Sequence, residues 1–370
     1  MPRTMGTSRS DYATATITTV EEARDLAEEW SGLADACHGG PFSRPLYALA
    51  WWTELGQGSL LVVTVRHEGR LVALAPLHER RVGPLRVARW LGHGLGSVTE
   101  ALVLPGHDEA GDVLWQVAAE RRRVLDLLEC HEDGPLPRAG LPGLRDVTSE
   151  PRDACPVIDL IGDAEAHLAL PARKRVRRTV RVARRRLEEA GLDFGVRLAD
   201  DTDSLEAVLP DVRRVFDVAE AAHPKQHLLA GEWESFTTTV LREGVASGEV
   251  LVLVGYVGPD PVVFDIVFVL PTATAGWIGR FDPVASRFSP GHLLQCAGLD
   301  WAHEHGKARV DLLLGDSYYK RLWADRAYRT LHVEAGPRTA RRVLATVARL
   351  RGHGEQPAAD DGDDSSADGS

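Results

Sequence analysis

The alternation of apolar and polar residues predicts two similar halves of mixed secondary structure. In each half, two strand-length apolar runs are separated by a short turn, at 60–66 and 70–79 in the first half and at 249–257 and 261–270 in the second. A further strand, an amphipathic helix and a buried strand follow in both halves at similar spacing. The repeated order predicts a duplicated structural unit, although the two halves share little residue identity.

A basic helix is predicted between the halves. Apolar residues recur at helical spacing within 173–190 and form one narrow stripe, while basic residues cover the other sides; the stripe consists of Val176, Val180, Ala183, Leu187 and Ala190. The predicted organisation is a disordered start (1–14), an N-terminal domain (15–165), a basic connecting helix (166–192), a C-terminal catalytic domain (193–352) and a disordered acidic tail (353–370).

Composition and charge narrow the class of protein. The longest apolar runs are too short for a signal peptide or a membrane span, which predicts a cytoplasmic protein without a transmembrane segment. The four cysteines stand singly, in no pattern that is typical of disulfides or of a zinc site, so we expect no metal. The formal net charge of -11 is concentrated in part in the acidic tail. The sequence leaves the oligomeric state open.

The residues best suited to chemistry lie between 277 and 323. Ser289 and Pro290 predict a helix start, with Ser289 as the N-cap and Pro290 at the first helical position. The free N–H groups of such a start can bind phosphate, although a helix start without a ligand explains the pattern equally simply. A buried run at 310–314 then leads into the segment 315–323, which holds an acid, two phenols and a lysine.

These motifs resemble a known family. The Ser-Pro-Gly helix start, the strand DLLLGD and the following YYKRLW are similar to the CelD/BcsL-like branch of the GNAT-type acyltransferases, a group that also resembles the Fem-type enzymes that take amino acids from aminoacyl-tRNA. The resemblance extends from about Pro41 to Gly336. It implies an α/β fold with two tandem GNAT-like domains, each a mixed, mostly antiparallel central sheet flanked by helices, of which the second keeps the working cleft.

The resemblance also implies a site for the acyl donor. In this fold two central strands splay apart, the pantetheine lies in the gap, and the pyrophosphate sits on the next helix start. The implied co-substrate is acyl-CoA, with acetyl-CoA as the first expectation. The residues implied to bind it are Arg287, Ser289, Gly291, His292 and Leu293. The loop departs from the usual glycine-rich pattern because Pro290 replaces one N–H donor.

Catalytic roles follow from the same resemblance. Fem-type enzymes carry an aromatic-Lys motif at the place of Tyr319-Lys320, which implies that Lys320 stabilises an oxyanion. A surface lysine is the alternative. Acyl transfer also needs a base and an acid. The candidate bases are Asp282 and Asp316, and the candidate acids are Tyr318 and Tyr319. Asp265 stands among apolar residues and is expected to be a buried acid that faces either the cleft or a neighbour.

The basic helix offers a second kind of partner. Its first residues oppose the dipole of their own helix, which favours an anionic ligand such as tRNA. The residues predicted to bind tRNA or another anion are Arg173, Lys174, Arg175, Arg177, Arg178 and Arg181. A solvated linker helix is the alternative, and the helix has no aromatic residue on which bases could stack.

Three functions remain open from the sequence. The first is transfer of an acyl group from acyl-CoA to an amine or hydroxyl of a small molecule, in secondary metabolism or polysaccharide biosynthesis. The second is transfer of an aminoacyl group from aminoacyl-tRNA. The third is a GNAT-like scaffold without catalysis. The cluster of acid, phenols and lysine favours the first two, whereas the missing N–H donor favours the second and third.

Overall fold

The computed structural model describes residues 11–144, 146–224 and 227–350. Their Cα positions divide into two units, one formed by residues up to 153 together with those from 329, and the other by residues 154–328. The predicted basic helix lies in the second unit, and most of the last strand belongs to the first. The predicted domain boundaries stay a prediction.

The elements are numbered along the described chain. The strands are β1 (Tyr12–Ile17), β2 (Ser59–His67), β3 (Arg70–Val82), β4 (Leu85–Trp90), β5 (Leu102–Val103), β6 (Val124–His131), β7 (Val147–Asp159), β8 (Phe194–Ala199), β9 (Val250–Val257), β10 (Asp260–Val269), β11 (Ala273–Phe281), β12 (Arg309–Asp311) and β13 (Arg326–Ala335). The α-helices are α1 (Val20–Asp25), α2 (Ala27–Ala36), α3 (Pro45–Leu55), α4 (Asp108–Ala118), α5 (Ala164–Ala169), α6 (Lys174–Glu189), α7 (Thr202–Ala222), α8 (Glu234–Ser247), α9 (Pro290–Glu304), α10 (Tyr318–Trp323) and α11 (Arg338–Leu350).

The sheet of the first unit has the strand order β1-β2-β3-β4-β6-β13. Its predicted hairpin is confirmed as β2-β3, and the two turn residues, Glu68 and Gly69, both have positive φ, as a tight hairpin turn requires. The pairs are antiparallel except for β4 and β6, which run parallel and pair at only two positions.

The sheet of the second unit has the order β7-β12-β11-β10-β9-β8. Its predicted hairpin is confirmed as β9-β10. The pairs are antiparallel except for β11 and β12, which run parallel. Helices flank this sheet, and the predicted fold class, mixed and mostly antiparallel sheets with flanking helices, is confirmed.

Opposite faces of the second sheet carry different helices. Buried residues of α5, α6 and α9 form one apolar cluster with Leu251 and Leu253 of β9 and Trp323 of α10. On the other face, Phe216 of α7 packs against Phe264 of β10. The apolar stripe predicted for the basic helix is confirmed for four of its residues, which are the buried residues of α6, whereas the fifth, Ala190, follows the helix as its C-cap and is exposed. This helix is therefore packed into the second unit along its whole length.

One local prediction was wrong, and another holds in position but not in its side-chain contact. The buried strand predicted at 310–314 ends at Asp311, whose Oδ1 accepts a hydrogen bond from the Leu313 N–H at 2.8 Å, and Leu313 has a φ of 53°. Ser289 is the N-cap of α9 and Pro290 is its first residue, as predicted, but Ser289 has a φ of 47° and its hydroxyl makes no capping hydrogen bond. A cap that accepts from the next turn normally has extended backbone, which Ser289 lacks. No helix among the described residues is long and apolar enough to cross a membrane.

Candidate active site

The parallel strands β11 and β12 part after a short contact. They pair only at Ala273 with Arg309, Thr274 with Val310 and Ala275 with Asp311. Strand β11 then continues for six residues to Phe281, whereas the chain turns away after Asp311. The edge of β11 from residue 276 onward therefore keeps backbone groups that β12 does not pair. We call this place the strand split.

Asp265 lies beside the strand split, on the neighbouring strand β10. It pairs across the sheet with Leu253 on one side and Gly279 on the other, so its side chain shares the face that carries α9. A Cβ atom at Gly279 would lie 2.2 Å from Asp265 Oδ1. Only glycine at position 279 therefore leaves room for this carboxylate.

The surroundings of Asp265 disfavour its charged form. Its carboxylate makes no hydrogen bond to another residue in the described part of the chain, and burial raises its pKa to about 7. The charge of Lys320 acts in the opposite direction and lowers this pKa. A carboxyl group with a pKa near neutrality can take up and release a proton under physiological conditions.

Lys320 is held in a defined position by its own helix. Ser317 caps α10 and accepts a hydrogen bond from the Lys320 N–H at 3.2 Å, and Lys320 Nζ donates to the Leu314 carbonyl at 2.5 Å. The side chain is half-buried and lies close enough to Asp265 to change its pKa. The structure thus brings together a lysine predicted from the sequence and an acid that the sequence indicated only as buried.

The two candidate acids occupy different places. Tyr319 OH donates to the Gly291 carbonyl at 3.0 Å and lies 3.5 Å from Gln295 Oε1, which ties α10 to the first turns of α9. Tyr318 is exposed, and its hydroxyl accepts a hydrogen bond from Arg175 of α6. Tyr319 is therefore the phenol beside the start of α9.

The two candidate bases both have local partners. Asp282 Oδ1 accepts a hydrogen bond from the Val284 N–H at 2.9 Å and caps the short 3-10 turn that follows β11. Asp316 is exposed, and its carboxylate lies 3.3 Å from the Arg321 guanidinium. The acid whose pKa the charge of Lys320 lowers is Asp265.

The start of α9 offers few free backbone donors. Pro290 has no N–H, and the N–H groups of His292 and Leu293 donate to the Ser289 carbonyl at 3.1 and 3.4 Å. The Gly291 N–H makes no hydrogen bond to another described residue. Among the residues at this turn, it is the one backbone amide that could donate to a ligand.

The side chains predicted to bind the cofactor do not all lie at one site. The Arg287 guanidinium lies 4.5 Å from the centre of the Phe288 ring, and its carbonyl accepts from Arg186 Nη1 at 2.8 Å. Leu293 is buried in the core. His292 lies against Tyr319, with 4.9 Å between the ring centres, and Trp323 Nε1 donates to His292 Nδ1 at 3.0 Å.

The basic residues of α6 fall into two groups. Arg173, just before the helix, is 4% exposed; it donates to His167 Nε2 at 3.0 Å and forms an ion pair with Asp325. Arg177 donates to the carbonyls of Leu168 and Ala169. Three exposed residues, Lys174, Arg178 and Arg181, have no partner within the described residues, and with Arg185 they lie at helical spacing on the side opposite the buried stripe. We call these four residues the α6 stripe.

The part of the chain that holds this site is similar to a known family. Residues 174–321 match the family model described as "Acetyltransferase (GNAT) domain". The match covers less than half of the chain. It begins at the first residue of α6 and ends within α10, so it includes Asp265, the strand split, the start of α9 and Lys320. The candidate site therefore lies within the segment that matches this family model. A search of curated proteins finds no match.

Solved structures with a similar fold cover nearly the whole chain. FemX superposes with a TM-score of 0.62 at 12% identity, covering 90% of this chain and 99% of that one. A conserved protein of unknown function from Bacteroides thetaiotaomicron gives 0.54 at 8% identity, with 88% and 99% covered. The C-terminal domain of a protein described as a lysylphosphatidylglycerol synthetase, from Agrobacterium fabrum, gives 0.53 at 11% identity, with 91% and 99% covered. At these identities the similarity shows the fold alone, and the CelD/BcsL-like branch stays a prediction.

Proposed function

We propose that the second unit transfers an acyl group from acyl-CoA to an amine or hydroxyl of a small molecule. One observation carries this proposal: a carboxyl group with a pKa of about 7 lies within the electrostatic reach of Lys320, beside the strand split of a GNAT-type domain. A base that titrates near neutrality and a fixed cation are what the attack of an amine on a thioester requires.

Each step has a residue to support it. Asp265 accepts a proton from the attacking amine or hydroxyl, whose lone pair forms a bond to the acyl carbon. The carbonyl oxygen becomes negative, and the Lys320 ammonium stabilises that charge. The carbon–sulfur bond then breaks, and Tyr319 OH gives a proton to the leaving thiolate. In the resting protein this hydroxyl donates to the Gly291 carbonyl, so it already lies at the start of α9.

The strand split supports a donor with a pantetheine arm. The unpaired edge of β11 presents N–H and C=O groups that can pair with the amides of such an arm. At Gly276 the nearest atom to an added Cβ would be the Asp311 carbonyl oxygen, 3.8 Å away, so the split is not filled by side chains there. The Gly291 N–H would be the backbone donor for the pyrophosphate, and acetyl-CoA is the first donor to test.

An aminoacyl-tRNA donor is a second candidate. Two observations favour it: the start of α9 has a single open amide for a pyrophosphate, and three cations of the α6 stripe, Lys174, Arg178 and Arg181, have no partner among the described residues. Such a stripe suits a phosphodiester backbone. The catalytic roles of Asp265 and Lys320 would be the same for this donor.

Thiol release from a panel of acyl-CoA donors tests the first candidate. We expect release by the wild type, a loss of about 10²- to 10³-fold in kcat for Lys320→Ala, and no change for Lys307→Ala, a half-buried lysine whose Nζ likewise donates to a backbone carbonyl. If no donor from acetyl-CoA to long-chain acyl-CoA releases thiol, and calorimetry detects no binding of coenzyme A, the acyl-CoA assignment is refuted.

Ribonuclease treatment separates the second candidate from the first. If aminoacyl-tRNA is the donor, ribonuclease should abolish transfer, and replacing Lys174, Arg178 and Arg181 by Gln should weaken tRNA binding and reduce its salt dependence. An unchanged tRNA-binding isotherm in that triple variant would reject this role for the α6 stripe.

A further inference from the structure

Trp323 fixes the position of the proton on His292. The indole is fully buried and can only donate, so the 3.0 Å hydrogen bond from Trp323 Nε1 requires an unprotonated Nδ1 on His292. A neutral imidazole with a free Nδ1 carries its hydrogen on Nε2. The contact between these two residues therefore selects one tautomer.

Further contacts fix the position of the Trp323 indole. The His167 ring stacks on Trp323 with 6.1 Å between ring centres, and Arg173 donates to His167 Nε2 at 3.0 Å while it pairs with Asp325. These four residues are anchored to different elements, α5, the turn before α6, α10 and the segment after it. The donor to His292 thus has little freedom to rotate.

The opposite nitrogen of His292 is available. Nε2 points away from the indole, makes no hydrogen bond to another residue in the described ranges, and belongs to a half-buried side chain. The ring lies against Tyr319, the residue next to Lys320. No other titratable group acts on His292 strongly enough to affect its pKa, which burial lowers to about 4.

We propose that His292 is a further catalytic residue whose Nε2–H donates to the carbonyl oxygen of the acyl donor, and that Trp323 is the positioning residue that fixes this donor. The role rests on the proposed acyl transfer. It adds a second, neutral hydrogen-bond donor to Lys320 at the oxygen that becomes negative. Such a donor strengthens as charge develops, so it lowers the barrier more than it tightens ground-state binding.

The tautomer can be measured without turnover. In protein labelled with ¹⁵N-histidine, we expect the His292 signals of the wild type to show the hydrogen on Nε2. In Trp323→Phe, which keeps an aromatic ring but removes the donor, we expect the signals to shift toward a mixture of tautomers. A hydrogen on Nδ1 in the wild type, or unchanged His292 signals in Trp323→Phe, would overturn the proposal.

Two amide replacements test the catalytic role. The His292→Gln side chain places its NH₂ near the former Nε2, whereas His292→Asn places it near Nδ1. We expect His292→Gln to keep kcat within about tenfold and His292→Asn to lose about 10²- to 10³-fold, with KM little changed in both. The control is His303→Gln, at the other end of α9, which should change neither constant. Equal losses in the Gln and Asn variants would overturn the catalytic role.

The two failures can be told apart. A protein that transfers acyl groups while His292 carries its hydrogen on Nδ1, or while the Gln and Asn variants lose equally, overturns the role of His292 and leaves the acyl transfer standing. A protein that shows the Nε2–H tautomer but turns over no acyl donor overturns the proposed function and the role together.

Discussion

At the scale of single residues, Asp265 has to be accommodated at a cost to stability. Because its folded pKa of about 7 lies above the ordinary value of 3.8, the folded state holds the proton more tightly than the unfolded state. The stability that comes from the neutral form is present at low pH and is lost as the pH rises through about 7.

Asp265→Asn should therefore stabilise the protein at high pH. The amide is a neutral replacement of similar shape, so it avoids burying a charge. We expect the melting temperature of Asp265→Asn to exceed that of the wild type increasingly as the pH is raised from 5 to about 7, and the difference to level off above that pH. A constant difference across this range would show that Asp265 has an ordinary pKa in the folded protein.

We predict that a side chain at position 279 lowers the free energy of unfolding only because it collides with Asp265. In Gly279→Ala the new methyl group would lie 2.2 Å from Oδ1, so the carboxylate must move, and we expect a loss of about 1–3 kcal/mol in the free energy of unfolding. In the Asp265→Ala background the same change should be nearly neutral. The matched control is Gly195→Ala on β8, where an added Cβ meets no atom within 4 Å. Equal losses from Gly279→Ala in both backgrounds would contradict this explanation.

At the scale of elements, α9 begins from a strained residue. Ser289 has the left-handed conformation, which costs a non-glycine residue energy and which glycine adopts freely. We expect Ser289→Gly to raise the free energy of unfolding by about 0.5–1 kcal/mol. The control, Ser286→Gly in the preceding 3-10 turn, where φ is not positive, should lower it. Destabilisation by both changes would show that the Ser289 side chain stabilises the turn.

Elements with a strong periodic pattern could be predicted, and those fixed by single contacts could not. The apolar stripe of α6 and the two hairpins follow from spacing and turn residues, and the structure has them where the sequence predicts them. The end of β12 depends on one hydrogen bond from the Leu313 N–H to Asp311, which no propensity reveals. The sequence therefore predicts the sheet but places the start of the 312–317 turn too late.

The candidate site was only partly predictable for the same reason. The sequence indicates Lys320 and Tyr319 through their motif, and it indicates Asp265 as a buried acid in an apolar strand. That Asp265 lies within reach of Lys320 depends on strand register, which places Gly279 rather than a larger residue beside it. A glycine at 279, in the strand that follows the apolar run 261–270 with its single acid, is the one sequence signal of this close approach.

At the scale of the whole molecule, each unit contains a short parallel strand pair. The acid beside the pair has different surroundings in the two units. In the first unit β4 and β6 pair at two positions, and the next residues form an ion pair in which Arg89 lies 2.6 Å from Asp126. Asp126 also lies 2.9 Å from His332. Asp126 therefore has two charged or chargeable partners, whereas Asp265 makes no hydrogen bond to another described residue.

Stability and catalysis should therefore separate between the units. Arg89→Met leaves the buried Asp126 with one cationic partner fewer, and we expect a loss of about 2 kcal/mol in the free energy of unfolding with kcat unchanged. Lys320→Ala should do the reverse and reduce kcat with little effect on the melting temperature. A large loss of kcat in folded Arg89→Met would place part of the chemistry in the first unit.

The central claim, that Asp265 is the base of an acyl transfer supported by Lys320, is tested most directly by the pH dependence of kcat/KM in wild type and Asp265→Asn. Because the base acts in its deprotonated form, the wild-type rate should rise with pH to a plateau, with its midpoint near 7. Asp265→Asn should lose about 10²- to 10⁴-fold and should lose that midpoint. A variant that keeps both the wild-type rate and the midpoint near 7 would contradict the account.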